Sequence, residues 1–141
     1  MALPLKKPEL YSPAHEHDAA PGAAALLHGM RCTCGHVAFP PQQYGCERCG
    51  RHGDDLRPVS LSGRGRLLAS SVVHMHAAAY PVAPFTVVEV ELEEGVVTRG
   101  LLAGDQAGGA KPGALLRSVL QAEPAADGGE VLDLRFALNT N

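Results

Sequence analysis

The spacing of the cysteines constrains this chain more than any other feature. All four of its cysteines lie in one short stretch, as Cys32-Thr33-Cys34 and Cys46-Glu47-Arg48-Cys49. Two such pairs predict a ribbon that folds back on itself, so that four thiolates surround one zinc ion tetrahedrally. A glycine follows each pair (Gly35 and Gly50) and lets backbone amides approach the sulfurs. The first pair is one residue shorter than the usual knuckle, which leaves three readings. Cys32 and Cys34 both bind; or one of them binds and His28, His36 or His52 completes the shell; or the ribbon folds without metal. Either metal-bearing reading closes the shell and leaves no position for water or substrate, so the zinc is structural. Energetics favour metal. A structural zinc supplies on the order of 10–16 kcal/mol in a small module, whereas some twenty residues with few apolar side chains cannot bury a core of their own. A redox role for the Cys46/Cys49 dithiol is the weaker reading when four thiols cluster.

The rest of the chain sets the compartment. No run approaches the roughly 18 apolar residues of a membrane span, and no apolar segment follows Lys6 and Lys7 as in a signal peptide. The expectation is a cytoplasmic protein with no membrane partner, whose thiols stay reduced and free for metal. The net charge of −3 is unevenly spread. Between Arg31 and Arg66, six arginines face Glu47, Asp54 and Asp55, a local +3, and the remainder carries −6. A cationic patch on an acidic protein suits a compact anion better than a long polyanion. Arginines of a small metal module are also commonly just solvated.

Three regions follow from composition. Residues 1–29, rich in Pro, Ala and His, read as an arm; residues 30–57 form the zinc ribbon; residues 58–141 read as a β-domain. Val88-Glu89-Val90-Glu91-Leu92-Glu93 alternates strictly, the mark of a half-buried strand. Strand-like stretches also occupy 66–76, 96–104, 114–123 and 130–138, the last two joined through Asp127-Gly128, a strong turn signal. Five strands are too few for an immunoglobulin-type sandwich and fit a small OB-type barrel. The fold class is therefore mainly β, with Gly63-Arg64-Gly65 suited to a bulge or barrel corner.

Exposed aromatics anchor interfaces, which makes Phe39, Tyr80 and Phe85 the candidate contacts for a partner; the loop from Ala77 to Phe85 fits its own barrel equally well. His74 and His76 share one side of a strand, and the plain reading is a strand end at a surface.

"CGHVAFPPQ" (34–42), "CERCG" (46–50) and "LSGRGRL" (61–67) together resemble the "domain of unknown function 35" family. The resemblance implies a rubredoxin-like zinc ribbon joined to an OB-fold, with Cys32, Cys34, Cys46 and Cys49 as ligands. It also implies a thiolase-fold partner acting on acyl-CoA, in a hetero-oligomer where catalysis belongs to the other chain. No cysteine is left outside the cluster to act as a nucleophile, and no Gly-x-Ser-x-Gly motif is present. Arg48, Arg51, Arg64 and Arg66 are then the candidates for CoA phosphates, which arginine binds bidentately. Two rivals remain: a nucleic-acid-binding ribbon and OB module, disfavoured by acidic strands poor in aromatics, and a self-sufficient acyltransferase or hydrolase.

Overall fold

The computed structural model describes residues 3–104 and 110–139. Nine strands lie among them: β1 (Tyr11–Pro13), β2 (Ala25–Cys32), β3 (Val37–Ala38), β4 (Leu56–Leu61), β5 (Gly65–Val73), β6 (Phe85–Leu92), β7 (Val97–Leu101), β8 (Leu115–Pro124) and β9 (Glu130–Leu138). The only helical element among these residues is a short 3-10 turn, Gly53–Asp55. Among the described residues no helix is long and apolar enough to cross a membrane.

β5 to β9 form a five-stranded sheet in the order β7-β6-β5-β8-β9. It closes into a barrel where Leu102 meets Phe136 in a parallel bridge and the Ala103 amide donates to the Phe136 carbonyl at 2.7 Å. This is the mainly-β, five-stranded barrel expected from the sequence. The alternating stretch is the best-behaved part: Val88, Val90 and Leu92 point into the core while their glutamate neighbours face outward. Leu67, Leu116, Leu120, Leu132 and Phe136 fill the same core. Gly63 supplies the corner before β5. Its φ is +77°, and a Cβ there would lie 2.8 Å from the Ala25 carbonyl and from the Ser118 side chain, so only glycine fits. The bulge itself falls between Leu67 and Ala69.

The second sheet carries the ribbon. β2 pairs with β4 from Leu27 to Cys32, and on its other edge with β1 first and β3 second. Residues 3–29, read from composition as an arm, are bound into both sheets. β1 and most of β2 lie within them, and Tyr11 is buried. Leu5 bridges Leu132, with the Lys6 amide donating to the Leu132 carbonyl at 2.9 Å. Ala24 bridges Val119, and the Leu120 amide donates to the Ala23 carbonyl at 2.9 Å. These pairings satisfy backbone groups on β8 and β9 that would otherwise face water or a void.

Candidate metal centre and its surroundings

β2 and β4 set the metal site. Cys32 ends β2 opposite Leu56, and its amide donates to the His36 carbonyl at 2.8 Å. The chain then turns within four residues, the Gly35 amide returning to the Cys32 carbonyl at 2.8 Å. Gly35 has φ +96°, in the left-handed region open to glycine. The second knuckle closes the same way, with the Gly50 amide donating to the Cys46 carbonyl at 2.8 Å and Gly50 at φ +80°. The shortened first pair therefore still makes a knuckle, because Cys32 is placed by the strand and needs no second intervening residue.

The four sulfurs lie within 4.8 Å of one another. Cys32 Sγ is 3.6 Å from Cys49 Sγ, and Cys34 Sγ is 3.7 Å from Cys46 Sγ. A tetrahedron with Zn–S bonds of about 2.3 Å has edges of about 3.8 Å, so these spacings fit zinc. They are far too long for disulfides, whose sulfurs sit about 2.05 Å apart, and all four thiols are free. The Cys34 amide faces Cys32 Sγ at 3.5 Å and the Arg48 amide faces Cys46 Sγ at 3.4 Å. Desolvation opposes ionising Cys46, but the Cys49 and Arg48 amides outweigh it and hold the thiol down to about 6. The Arg51 amide favours the Cys49 thiolate; desolvation and the neighbouring sulfurs oppose it more strongly and push Cys49 up to about 12. Four thiols this close resist carrying four negative charges, which a divalent cation would relieve. The histidines are engaged elsewhere: His28 Nε2 lies 2.9 Å from Ser12 Oγ, His36 Nε2 lies 2.8 Å from Glu47 Oε1, and His52 is exposed.

The four candidate arginines do not converge. Arg64 Nε pairs with Glu93 at 3.3 Å, and Arg66 donates to Glu91; both line one surface hollow beside β6. Arg48 lines a different hollow, with His36, Glu47 and Glu94. Arg51 stays on the ribbon and reaches Thr33 Oγ1 at 3.4 Å. The candidate interface aromatics are also spread. Phe39 is half-buried and packs against the barrel core. Phe85 meets His76 edge-on at 5.1 Å, and Tyr80 stands exposed near Val72 and Val82 around the barrel mouth. The loop thus packs partly on its own barrel and partly faces outward.

One polar constellation escaped the sequence reading. In β9, Leu132, Leu134 and Phe136 alternate with Asp133 and Arg135, a pattern that would turn both charges outward, yet Arg135 is buried with Glu123. The Arg135 guanidinium donates to Glu123 and to Asp133, each at 3.0 Å, and to the Leu134 carbonyl at 2.9 Å. Lys6 adds an ion pair to Glu123, and the Tyr11 hydroxyl donates to the Leu132 carbonyl at 2.8 Å. The hydrogen bond to Glu123 raises the Lys6 pKa above its ordinary value. Burial pushes the Tyr11 phenol up to about 12. Burial works against the Asp133 carboxylate, but Arg135, the Leu134 amide and Lys6 together hold its pKa below the ordinary value. The available signal is a set of opposite charges on two strands joined by the Asp127-Gly128 turn, Glu123 on one and Asp133 and Arg135 on the other.

Comparison with known proteins places this arrangement. Residues 58–121 match the family described as "ChsH2, C-terminal OB-fold domain". A "DUF35 domain-containing scaffold protein" of Methanocaldococcus jannaschii is 37% identical over 76 residues, covering 52% of each chain. A protein of the same description from Methanothermobacter thermautotrophicus is 39% identical over 71 residues, covering 49% of this chain and 52% of the relative. The chain thus spans about half the length of the curated relatives it matches. A chain of the solved "Ltp2-ChsH2(DUF35) aldolase" superposes with a TM-score of 0.58 at 26% identity, covering 77% of this chain and 83% of that one. Residues 58–121 are thus similar to the ChsH2 C-terminal OB-fold domain, the chain is similar to DUF35 scaffold proteins, and its four cysteines fit a zinc ribbon.

Proposed function

We propose that this chain is a non-catalytic scaffold subunit of a thiolase-type acyl-CoA enzyme complex, working in the reducing cytoplasm. The observation that carries the reading is a four-cysteine centre joined to a ChsH2-type OB domain, with every thiol of the chain in that centre. The residues present suit zinc, which would tie the two knuckles together and supply folding energy. A closed thiolate shell offers no site for substrate. The superposition on one chain of an aldolase complex supports a hetero-oligomer.

The partner is a thiolase-fold protein that carries the nucleophile. The finer reading concerns substrate: "KPELYS", "CTCGHV" and "FPPQQYGCE" are similar to the small subunit of benzoylsuccinyl-CoA thiolase, which makes an aromatic β-keto acyl-CoA the substrate class. CoA would be shared with the partner, its phosphates met by Arg48, Arg51, Arg64 and Arg66. Arg64 and Arg66 already hold glutamates, so Arg48 and Arg51 are the freer pair, and their replacement by alanine is expected to weaken CoA binding more.

Coexpression with a thiolase-fold protein encoded beside this chain tests the reading. A stable complex whose acyl-CoA turnover disappears when this chain is omitted is expected. Turnover by the purified chain alone would overturn it, as would salt-dependent oligonucleotide binding with no thiolase association. That last outcome would favour the nucleic-acid module.

A further inference from the structure

Where two charged side chains stand opposite each other in the barrel sheet, their signs differ. Arg66 faces Glu91 and Arg99 faces Glu89, and each couple forms an ion pair. The ribbon sheet departs from this once. Arg31 on β2 stands directly opposite Arg57 on β4, the one in-register pair of like charges among the described strands. Opposite residues of an antiparallel pair share a face, with Cβ atoms about 4.5–5.5 Å apart, and like charges there destabilise the sheet. Both arginines are exposed, and Arg31 is the only exposed residue of β2. Neither guanidinium has a hydrogen bond or ion pair among the described residues. Nearby acids are engaged elsewhere: Asp55 accepts from Thr33 Oγ1 at 3.0 Å, and Glu47 meets His36 Nε2 at 2.8 Å. The metal centre does not neutralise the pair either. Successive residues of a strand project to opposite faces, so Arg31 turns away from the side that Cys32 takes.

We propose that Arg31 and Arg57 together form a binding site for one phosphate dianion. Their two positive charges match its two negative ones. A guanidinium binds phosphate oxygens bidentately, and a phosphate group has oxygens enough for two such forks, whereas one fork already fills both oxygens of a carboxylate. The strand register fixes the spacing of the two stems, so the pair is set before the anion arrives. The bound dianion then relieves the repulsion between the guanidiniums. This pair is distinct from the four arginines assigned to CoA above, and the site needs no partner chain.

Titrating the zinc-loaded full chain alone, at constant pH and ionic strength, tests this whatever becomes of the acyl-CoA reading. Inorganic phosphate should shift the backbone NMR signals of Arg31, Arg57 and the neighbouring Val37 saturably, with a dissociation constant on the order of 1 mM. Adenosine monophosphate should shift the same signals. Tighter binding of the ester makes a phosphate ester the natural source, and tighter binding of inorganic phosphate makes it the free ion; both support the site. Acetate should leave these signals in place. Arg31→Ala and Arg57→Ala should each weaken phosphate binding about tenfold or more. Arg117→Ala, which removes an exposed arginine of β8, should leave it unchanged. Arg57→Glu sets opposite charges face to face, so it should abolish phosphate binding and raise the melting temperature measured without phosphate. The signals of the unaltered chain decide the matter if a variant fails to fold. No saturable shift at Arg31 and Arg57, equal binding of acetate, or unchanged affinity in folded Arg57→Ala overturns the proposal.

Discussion

The ribbon and the barrel hold their shape by different forces. The buried cluster at the centre of the molecule draws on β1, β2, β4 and the barrel strands, but none of its fully buried members lies between residues 30 and 57. Val37 and Phe39 only lean on it. The barrel buries leucine, valine and phenylalanine and gains by the hydrophobic effect. The ribbon buries chiefly sulfur, and its strands stop at the knuckles. A region without its own core needs a cross-link, and a cation held by the four thiols would provide it.

Metal removal should separate the two regions most sharply. Stripping zinc with a strong chelator withdraws on the order of 10 kcal/mol from the ribbon. Amides of Cys46 to Arg51 should then exchange freely while those of β6 and β9 stay protected. Simultaneous loss of both would show that the barrel leans on the metal as well. Cys32→Ser sharpens the same point, since full zinc occupancy with unchanged stability would remove Cys32 from the ligand set.

The barrel's own weak point is polar. Arg135 and Glu123 are both almost wholly shielded, with side-chain exposures of 4% and 3%. Arg135→Leu leaves the buried Glu123 carboxylate to half-exposed Lys6 and should cost up to about 3–5 kcal/mol in urea unfolding, with zinc affinity unchanged. Pairing it with Glu123→Gln should restore part of the loss. A smaller effect is expected at the corner: Gly63→Ala places a methyl group against the Ala25 carbonyl at positive φ, costing roughly 1–3 kcal/mol.

The smallest effect is set by pH. The folded state favours the neutral phenol of Tyr11 and the charged amine of Lys6, both with raised pKa values. Their contribution is complete below pH 10 and is lost as pH rises, for Tyr11 toward about 12. Asp133 has the opposite sign: its contribution is present above the ordinary carboxylate pKa and is lost as pH falls below it. The melting temperature should therefore drop between pH 10 and 12, and Tyr11→Phe should flatten that drop. An unchanged alkaline profile in Tyr11→Phe would assign the loss elsewhere.

The barrel was legible where one strand faces one core. Val88 to Glu93 shows its fold in its alternation because the barrel interior lies on one side and water on the other. β9 was legible as a strand but not in its faces, since the burial of Arg135 depends on the ion pair it makes with Glu123 on the neighbouring strand β8. The candidate site was legible in its ligands and not in its arginines. The cysteines are tied by local turns, whereas Arg48 lies in the second knuckle and Arg64 at the corner before β5, and no spacing in the sequence reports how those two places are set.

By itself the sequence determined the two cysteine knuckles, the five barrel strands and the absence of a spare thiol, because turns and side-chain periods are set within a few residues. Only the tertiary structure decided that residues 3–29 seal β8 and β9, and that Lys6, Asp133 and the buried pair Glu123 and Arg135 join in one ion-pair cluster. The sealing of β8 and β9 and the arrival of Lys6 at that cluster both rest on backbone pairing between segments about a hundred residues apart. Such pairing is selected by which edges are left unsatisfied once the barrel has formed.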